Sequence, residues 1–130
     1  MNADERRWGL NEITEKVIGC AFTVGNGLGC GYLEKVYENA LTYELRQMGL
    51  LVEQQYDIEV YYKGIVVGKF ISDLLVERQV LVELKAVKTL EPNHLAQCLN
   101  YLKATRLNIC LLINFGNPKV EFKRIAHNIQ

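Results

Sequence analysis

The stretch ISDLLVERQVLVELKAV, residues 71 to 87, constrains the chain most. Two apolar runs flank the short polar segment ERQ, so it reads as a β-hairpin inside a buried sheet. Yet Asp73, Glu83 and Lys85 stand within those runs. Alternate residues of a strand share a face, which puts Glu83 and Lys85 on one side together with Leu81 and Val87. A three-residue turn centred on Arg78 sets Val76 opposite Val80, and continuing down that register sets Asp73 opposite Glu83. Like charges placed directly across a ladder are destabilising, and burying an unpaired carboxylate costs several kcal/mol by order of magnitude. Two arrangements relieve the cost. Lys85 can pair with either acid as a structural salt bridge. Alternatively, a divalent cation can sit between the acids, since Mg²⁺ takes one or two carboxylates and keeps waters that serve as nucleophiles. Spacing alone leaves both open.

Around the hairpin the pattern gives the element order α-α-β-β-β-α-β-β. A first helix is expected from near Asn11, as its cap, to the glycine-rich GNGLGCG, where it should stop. A second covers about Tyr32 to Met48 and ends at Gly49, with Leu33, Tyr37, Ala40, Leu41 and Met48 on its inner side. Strands are expected at roughly 51 to 62, 65 to 76 and 79 to 87, with YKGI as a tight turn. Pro92 suits the start of a third helix carrying Leu95, Leu99 and Leu102 at helical spacing. LNICLLINF reads as a fully buried strand and KVEFKRIAHN as an edge strand. The fold class is α/β (α+β), a sheet flanked by helices, and 130 residues suit one domain spanning 1–130.

Composition excludes several classes. With 49% hydrophobic and 23% charged residues the chain is neither disordered nor fibrous. No segment has the length and apolarity of a membrane span, and MNADERRWGLNEITEK lacks a signal-type apolar run, so a cytoplasmic protein is expected. Cys20, Cys30, Cys98 and Cys110 are too irregularly spaced for a zinc or iron–sulfur signature and read as reduced, mostly buried thiols. Net charge is zero, but residues 1–84 carry eight basic and thirteen acidic side chains and 85–130 carry seven and two. Such asymmetry fits an acidic metal pocket beside a basic surface, or merely solvated faces.

Three helix residues bear on the choice. Gln97 and Tyr101 are four apart on one helical stripe, where they can reach a bound nucleotide or steady the lysine, or simply mark the core boundary. Glu34 falls in a mostly apolar arc, either as a first-turn glutamate favoured by the helix dipole or as a third acid reaching a metal.

GYLEKVY, through Gly31, Glu34 and Tyr37, resembles the G-x-x-E-x-x-Y motif that names a family of small bacterial proteins. The resemblance runs from about Asn11 to His127 through YYKG, SDLLVE, VELKAV, QCLNYL and LLINFG. It implies membership of the PD-(D/E)xK nuclease superfamily, in its RecB-like branch, with a restriction-endonuclease-like core and an active site on a bent central hairpin. Asp73 then matches the acid of the first half-motif, and Glu83 and Lys85 the E-x-K. Glu34 resembles the helix glutamate that joins the metal site, and Gln97 and Tyr101 resemble the Q-x-x-x-Y pair. The implied activity is DNA phosphodiester hydrolysis dependent on Mg²⁺ or Mn²⁺, held by Asp73, Glu83, the Leu84 carbonyl and Glu34, with Lys85 beside the attacking water. Lys88, Lys103 and Arg106 are candidates for phosphate neutralisation. The alternatives are an inactive nuclease-fold module that binds nucleic acid and a homodimeric interaction protein. The chain departs from the family pattern at Gly25, where relatives often carry histidine, at Cys30 in place of proline, and at Ile71 in place of a basic residue.

Overall fold

A computed structural model describes residues 8–127. Helices α1 (Leu10–Leu28) and α2 (Glu34–Gln47) precede strands β1 (Val52–Tyr62), β2 (Ile65–Val76) and β3 (Val80–Lys85); helix α3 (Pro92–Thr105) leads to β4 (Ile109–Asn114) and β5 (Glu121–Ala126). The strands form one sheet in the order β1-β2-β3-β4-β5, antiparallel except for the parallel β3–β4 pair. A parallel pair requires a crossover, and α3 supplies it. The expected α/β (α+β) order of elements is what the chain adopts.

The turns follow their residues. At Lys63 and Gly64 both central positions have positive φ (49° and 81°), as a two-residue primed hairpin turn demands. In the ERQ turn Glu77 and Arg78 are both left-handed, the Gln79 N–H returns to the Val76 carbonyl, and Val76 pairs with Val80. The central register is therefore the expected one.

Several local expectations are corrected. Gly9, not Asn11, caps α1; Asn11 sits in the first turn, its side-chain oxygen accepting from Arg124 (3.0 Å). The helix does not stop at Gly25 but runs on to Leu28, because Gly25 packs against Val120 with no room for a Cβ and so stays in the helix for its size. Leu33 is the α2 N-cap and Met48 its C-cap, so both are exposed while Tyr37 and Leu41 fill the core. On α3 the buried stripe is Cys98, Tyr101 and Leu102; Leu95 and Leu99 are only half-buried. β3 ends at Lys85 and β5 at Ala126, each shorter than expected, and Asn128 of the last expected strand lies outside the described residues.

The two faces of the sheet are covered unequally. α1 and α2 seal one face through Ile13, Val17, Tyr37 and Leu41 against Leu74, Val80, Val82 and Leu84. α3 alone covers part of the other, where Cys98, Tyr101 and Leu102 meet Ile58, Leu75, Leu81 and Leu112. Three of the four cysteines are buried, none is in a disulfide, and Cys30 is exposed.

Candidate active site

The β2–β3 ladder pairs Val76 with Val80, Leu75 with Leu81 and Leu74 with Val82, and then opens. At the next level side chains replace ladder bonds. The Asp73 N–H donates to Glu83 Oε1 (3.0 Å), and the Leu84 N–H donates to Asp73 Oδ2 (2.7 Å). Each carboxylate thus satisfies a backbone donor of the strand facing it, which fixes both rotamers at the mouth of the hairpin. The N–H and C=O of a strand residue point to the same side, so the Leu84 carbonyl is also directed toward this opening.

The opening coincides with a bend. Glu53 and Leu75 are paired, so simple alternation from β1 would place Gln55 and Asp57 on the face of Leu75. Instead Tyr56 and Ile58 join the cluster containing Leu75, and Gln55 has a left-handed φ of 56°. Phe70, paired with Ile58, likewise reaches α3, its ring centroid 5.8 Å from that of Tyr101. Both strands of the β1–β2 hairpin switch face at the level of Gln55 and Asp73. Asp73 is the residue at the turn of the bend.

Burial makes the acids hard to ionise. Glu83 is 5% exposed, and desolvation together with the charge of Asp73 pushes its pKa up to about 7, against the pull of its hydrogen bonds and of Lys85. Asp73 is raised too, first by desolvation and then by Glu38 and Glu34, although the Leu84 N–H and Lys85 oppose the shift. Lys85 lies on the same strand face, half-buried. Among the described residues the ion pairs are Lys35–Glu38 and Arg78–Glu53, so Lys85 does not close onto either acid. The salt-bridge arrangement that spacing left open is not the one adopted.

The sequence-named residues fall into groups. Tyr101 is buried beside the acids, whose charges, after burial, push its hydroxyl up to about 12; the Gln97 amide donates to that hydroxyl (3.0 Å). Lys103 and Arg106 line an adjoining cleft of about 820 Å³ between α3 and the β1–β2 hairpin. Lys88 lies elsewhere, on a smaller recess with Glu91 and His94. Glu34 is exposed at the first position of α2, close enough to influence Asp73, but among the described residues no three His, Cys, Asp or Glu side chains gather at metal-binding spacing. The acids form a pair, not a triad.

Three contributors, Glu38, Asn114 and Gly116, were given no role in the sequence reading. Glu38, one turn after Glu34, is 3% exposed and bound by Lys35 (3.0 Å), Gln54 (2.7 Å) and Gln55 (2.7 Å), and its charge acts on Asp73 ahead of Glu34's. The i, i+4 spacing of the two glutamates was the available signal. Asn114, paired with Lys85 across β3–β4, grips the Val87 backbone at both its N–H (3.0 Å) and its carbonyl (2.8 Å). Gly116 lets that segment approach, because a Cβ there would run into the Val87 backbone. Tyr37 packs flat on Phe115 (4.6 Å between centroids) and donates to the Gly29 carbonyl (2.7 Å), tying down the loop before Glu34. In that loop Gly31 has φ 112°, a value L side chains rarely adopt.

A divalent hard cation fits what is present. Every donor at the opening is an oxygen, two carboxylates suffice for Mg²⁺-type coordination when waters complete it, and a cation would relieve the acids' mutual repulsion.

Comparisons with known proteins bear on the fold and the family. No match to a curated protein was found. The crystal structure of SSO0001 superposes with a TM-score of 0.57 at 15% identity over 75% of this chain, which spans about half (52%) of that chain. An alkaline exonuclease (LHK-Exo) from Laribacter hongkongensis superposes with a TM-score of 0.51 at 13% identity, covering 88% of this chain and 82% of that one. At such identities the likeness concerns the fold. A family model described as PD-(D/E)XK nuclease superfamily matches residues 11–125, and the chain therefore belongs to that superfamily.

Proposed function

We propose that the protein is a divalent-metal-dependent nuclease acting on DNA, a single-domain member (1–130) of the GxxExxY family within the RecB-like branch. The observation that carries this reading is the Asp73–Glu83 pair: a half-buried Asp73 and a buried Glu83 face each other at a hairpin opening, and among the described residues neither is closed by an ion pair. Backbone hydrogen bonds and Lys85 offset only part of the cost of holding two acids together, and a cation would offset the rest.

In this reading Asp73, Glu83 and the Leu84 carbonyl hold Mg²⁺ or Mn²⁺, with Glu34 reaching it through water. The bound metal supplies charge neutralisation and water activation at neutral pH. Lys85, free of an ion pair among the described residues, orients the attacking water and meets charge that develops on the phosphate. Gln97 and Tyr101 position the nucleotide next to Glu83, Gln97 orienting the Tyr101 hydroxyl, which stays protonated at physiological pH and so donates rather than repels. Lys103 and Arg106 neutralise phosphates along the adjoining cleft; Lys88 does so from the far side of the α3 N-terminus.

The departures at Gly25 and Cys30 lie outside this set. Gly25 is matched by Val120, a local exchange of packing rather than of chemistry. The test is cleavage of labelled DNA with Mg²⁺ or Mn²⁺. Products should vanish with chelator and in Lys85→Ala, whose circular dichroism should match wild type. Cleavage that survives both would refute the assignment.

A further inference from the structure

The cleft beside the acids has a hairpin wall that the hydrolytic chemistry does not need. Val60, Tyr61 and Phe70 form its hairpin wall, and Gln97, Asn100, Tyr101, Lys103 and Arg106 contribute to its α3 wall. Two large aromatic side chains are held open to solvent there: Tyr61 is 62% exposed and Phe70 47%. Neither hangs free. Phe70 leans on Tyr101 at an interplanar angle of 44°, and the Tyr61 hydroxyl donates to Glu59 Oε2 (2.9 Å), which fixes the ring at the rim. Among the described residues no acidic side chain lines the cleft, and both charged residues that do are cations. Its volume, about 820 Å³, falls within the range of about 300–1,000 Å³ that holds whole small ligands.

An aromatic pair with two cations and side-chain amides is the chemistry that receives a nucleobase and its phosphates. In a duplex the π-faces are stacked on neighbouring pairs and cannot meet Phe70 or Tyr61. An unpaired base can, and it offers every sequence the same face. We propose that this cleft receives an unpaired nucleobase stacked on Phe70 and Tyr61, its flanking phosphates met by Lys103 and Arg106. The substrate class is then single-stranded nucleic acid, including the unpaired part of an end or flap. The proposal rests on the nuclease reading only for the scissile bond lying at Asp73 and Glu83; binding itself needs neither metal nor catalysis.

Fluorescence anisotropy in chelator separates the two. The probes are a labelled thymidine strand of about a dozen nucleotides, within the span of known single-strand sites, and a blunt duplex carrying the same tract. The single strand should bind more tightly than the duplex. Phe70→Ala with Tyr61→Ala should weaken single-strand binding about ten-fold or more and duplex binding little. Lys103→Ala should lower the salt slope for the strand by about 0.7. Both rings are largely exposed, so circular dichroism of the double variant should be unchanged; if it is not, Phe70→Leu with Tyr61→Leu, which keeps bulk and removes the π-face, replaces it with the same expected loss. Equal affinity for strand and duplex, unaffected by either double variant, would overturn the proposal. So would absence of DNA binding together with a ring-dependent shift in gel-filtration volume, which would make the cleft a contact between copies of this chain. Metal-dependent cutting of duplex without these effects would spare the nuclease reading and sink this one; single-strand binding without cutting would do the reverse.

Discussion

The face of the sheet under α1 and α2 is closed by aliphatic side chains from every strand it touches: Val80, Val82 and Leu84 of β3 are all at most 1% exposed. The opposite face of that strand begins the same way at Leu81 but continues with Glu83 and Lys85, beneath one helix that leaves a cleft beside them. One strand therefore serves stability on one side and chemistry on the other. The period of two keeps them apart: a one-residue slip would exchange Glu83 and Leu84 and ruin both. The sealed face should respond to substitution through stability with chemistry intact, and the open face through chemistry with stability unharmed or improved.

The largest expected effect is on the open face. Lys85→Ala and Asp73→Ala should each reduce metal-dependent cleavage about a thousand-fold or more, comparable to removing a preorganised charge-stabilising group elsewhere. Rates of product formation measure this, with thermal melts showing that folding is retained. Equal loss from a sealed-face variant of unchanged stability would erase the contrast.

Glu83 provides the next. Its pKa in the fold, about 7, lies above the ordinary 4.5, so the folded protein holds that proton more tightly than the unfolded chain. The associated stability is full below about pH 4.5, declines as pH rises toward 7, and is gone above, a change of about 3 kcal/mol. Asp73, raised in the same sense, adds to the slope. In chelator the metal-free protein should melt lower at pH 8 than at pH 5. Glu83→Gln should flatten that dependence and raise the melting temperature at pH 8 while abolishing cleavage. A variant less stable than wild type at pH 8 would mean that the ionised acid is not strained.

On the sealed face, Gly25→Leu should cost about 1–3 kcal/mol through overpacking against Val120, read from denaturant midpoints, with cleavage per folded molecule unchanged. Tyr37→Phe should cost about 1 kcal/mol for the hydroxyl bond to Gly29. Tyr37 is the exception on this face: it anchors the loop leading to Glu34, so a modest fall in metal affinity should accompany the loss of stability. A stability change with no change in affinity would detach that loop from the site.

The order of elements, the ERQ turn and the facing of Asp73 by Glu83 were legible because each follows from local rules: apolar runs, turn residues and strand parity. The bend was not. It lies at Gln55 and Asp73, where no glycine or proline announces it, and only the packing of Tyr56 and Ile58 beneath α3 reveals the change of face. α3 itself was read one residue out of phase, because Tyr101 was taken as flanking when it is a core residue with a polar tip. Glu38 was missed since its partners, Gln54 and Gln55, come from a strand sixteen or more residues away. Gly25 misled in the opposite direction, as a helix breaker where it is a packing residue, since helix propensity carries no information about Val120.

Calorimetric titration of Mn²⁺ into wild type and Asp73→Asn tests the central claim most directly. Heat of binding in the wild type, lost or strongly reduced in the variant and increasing in affinity as pH rises through about 7, is the expected result. Identical flat traces from both proteins would contradict the metal site, and with it the account of why these two acids are held together.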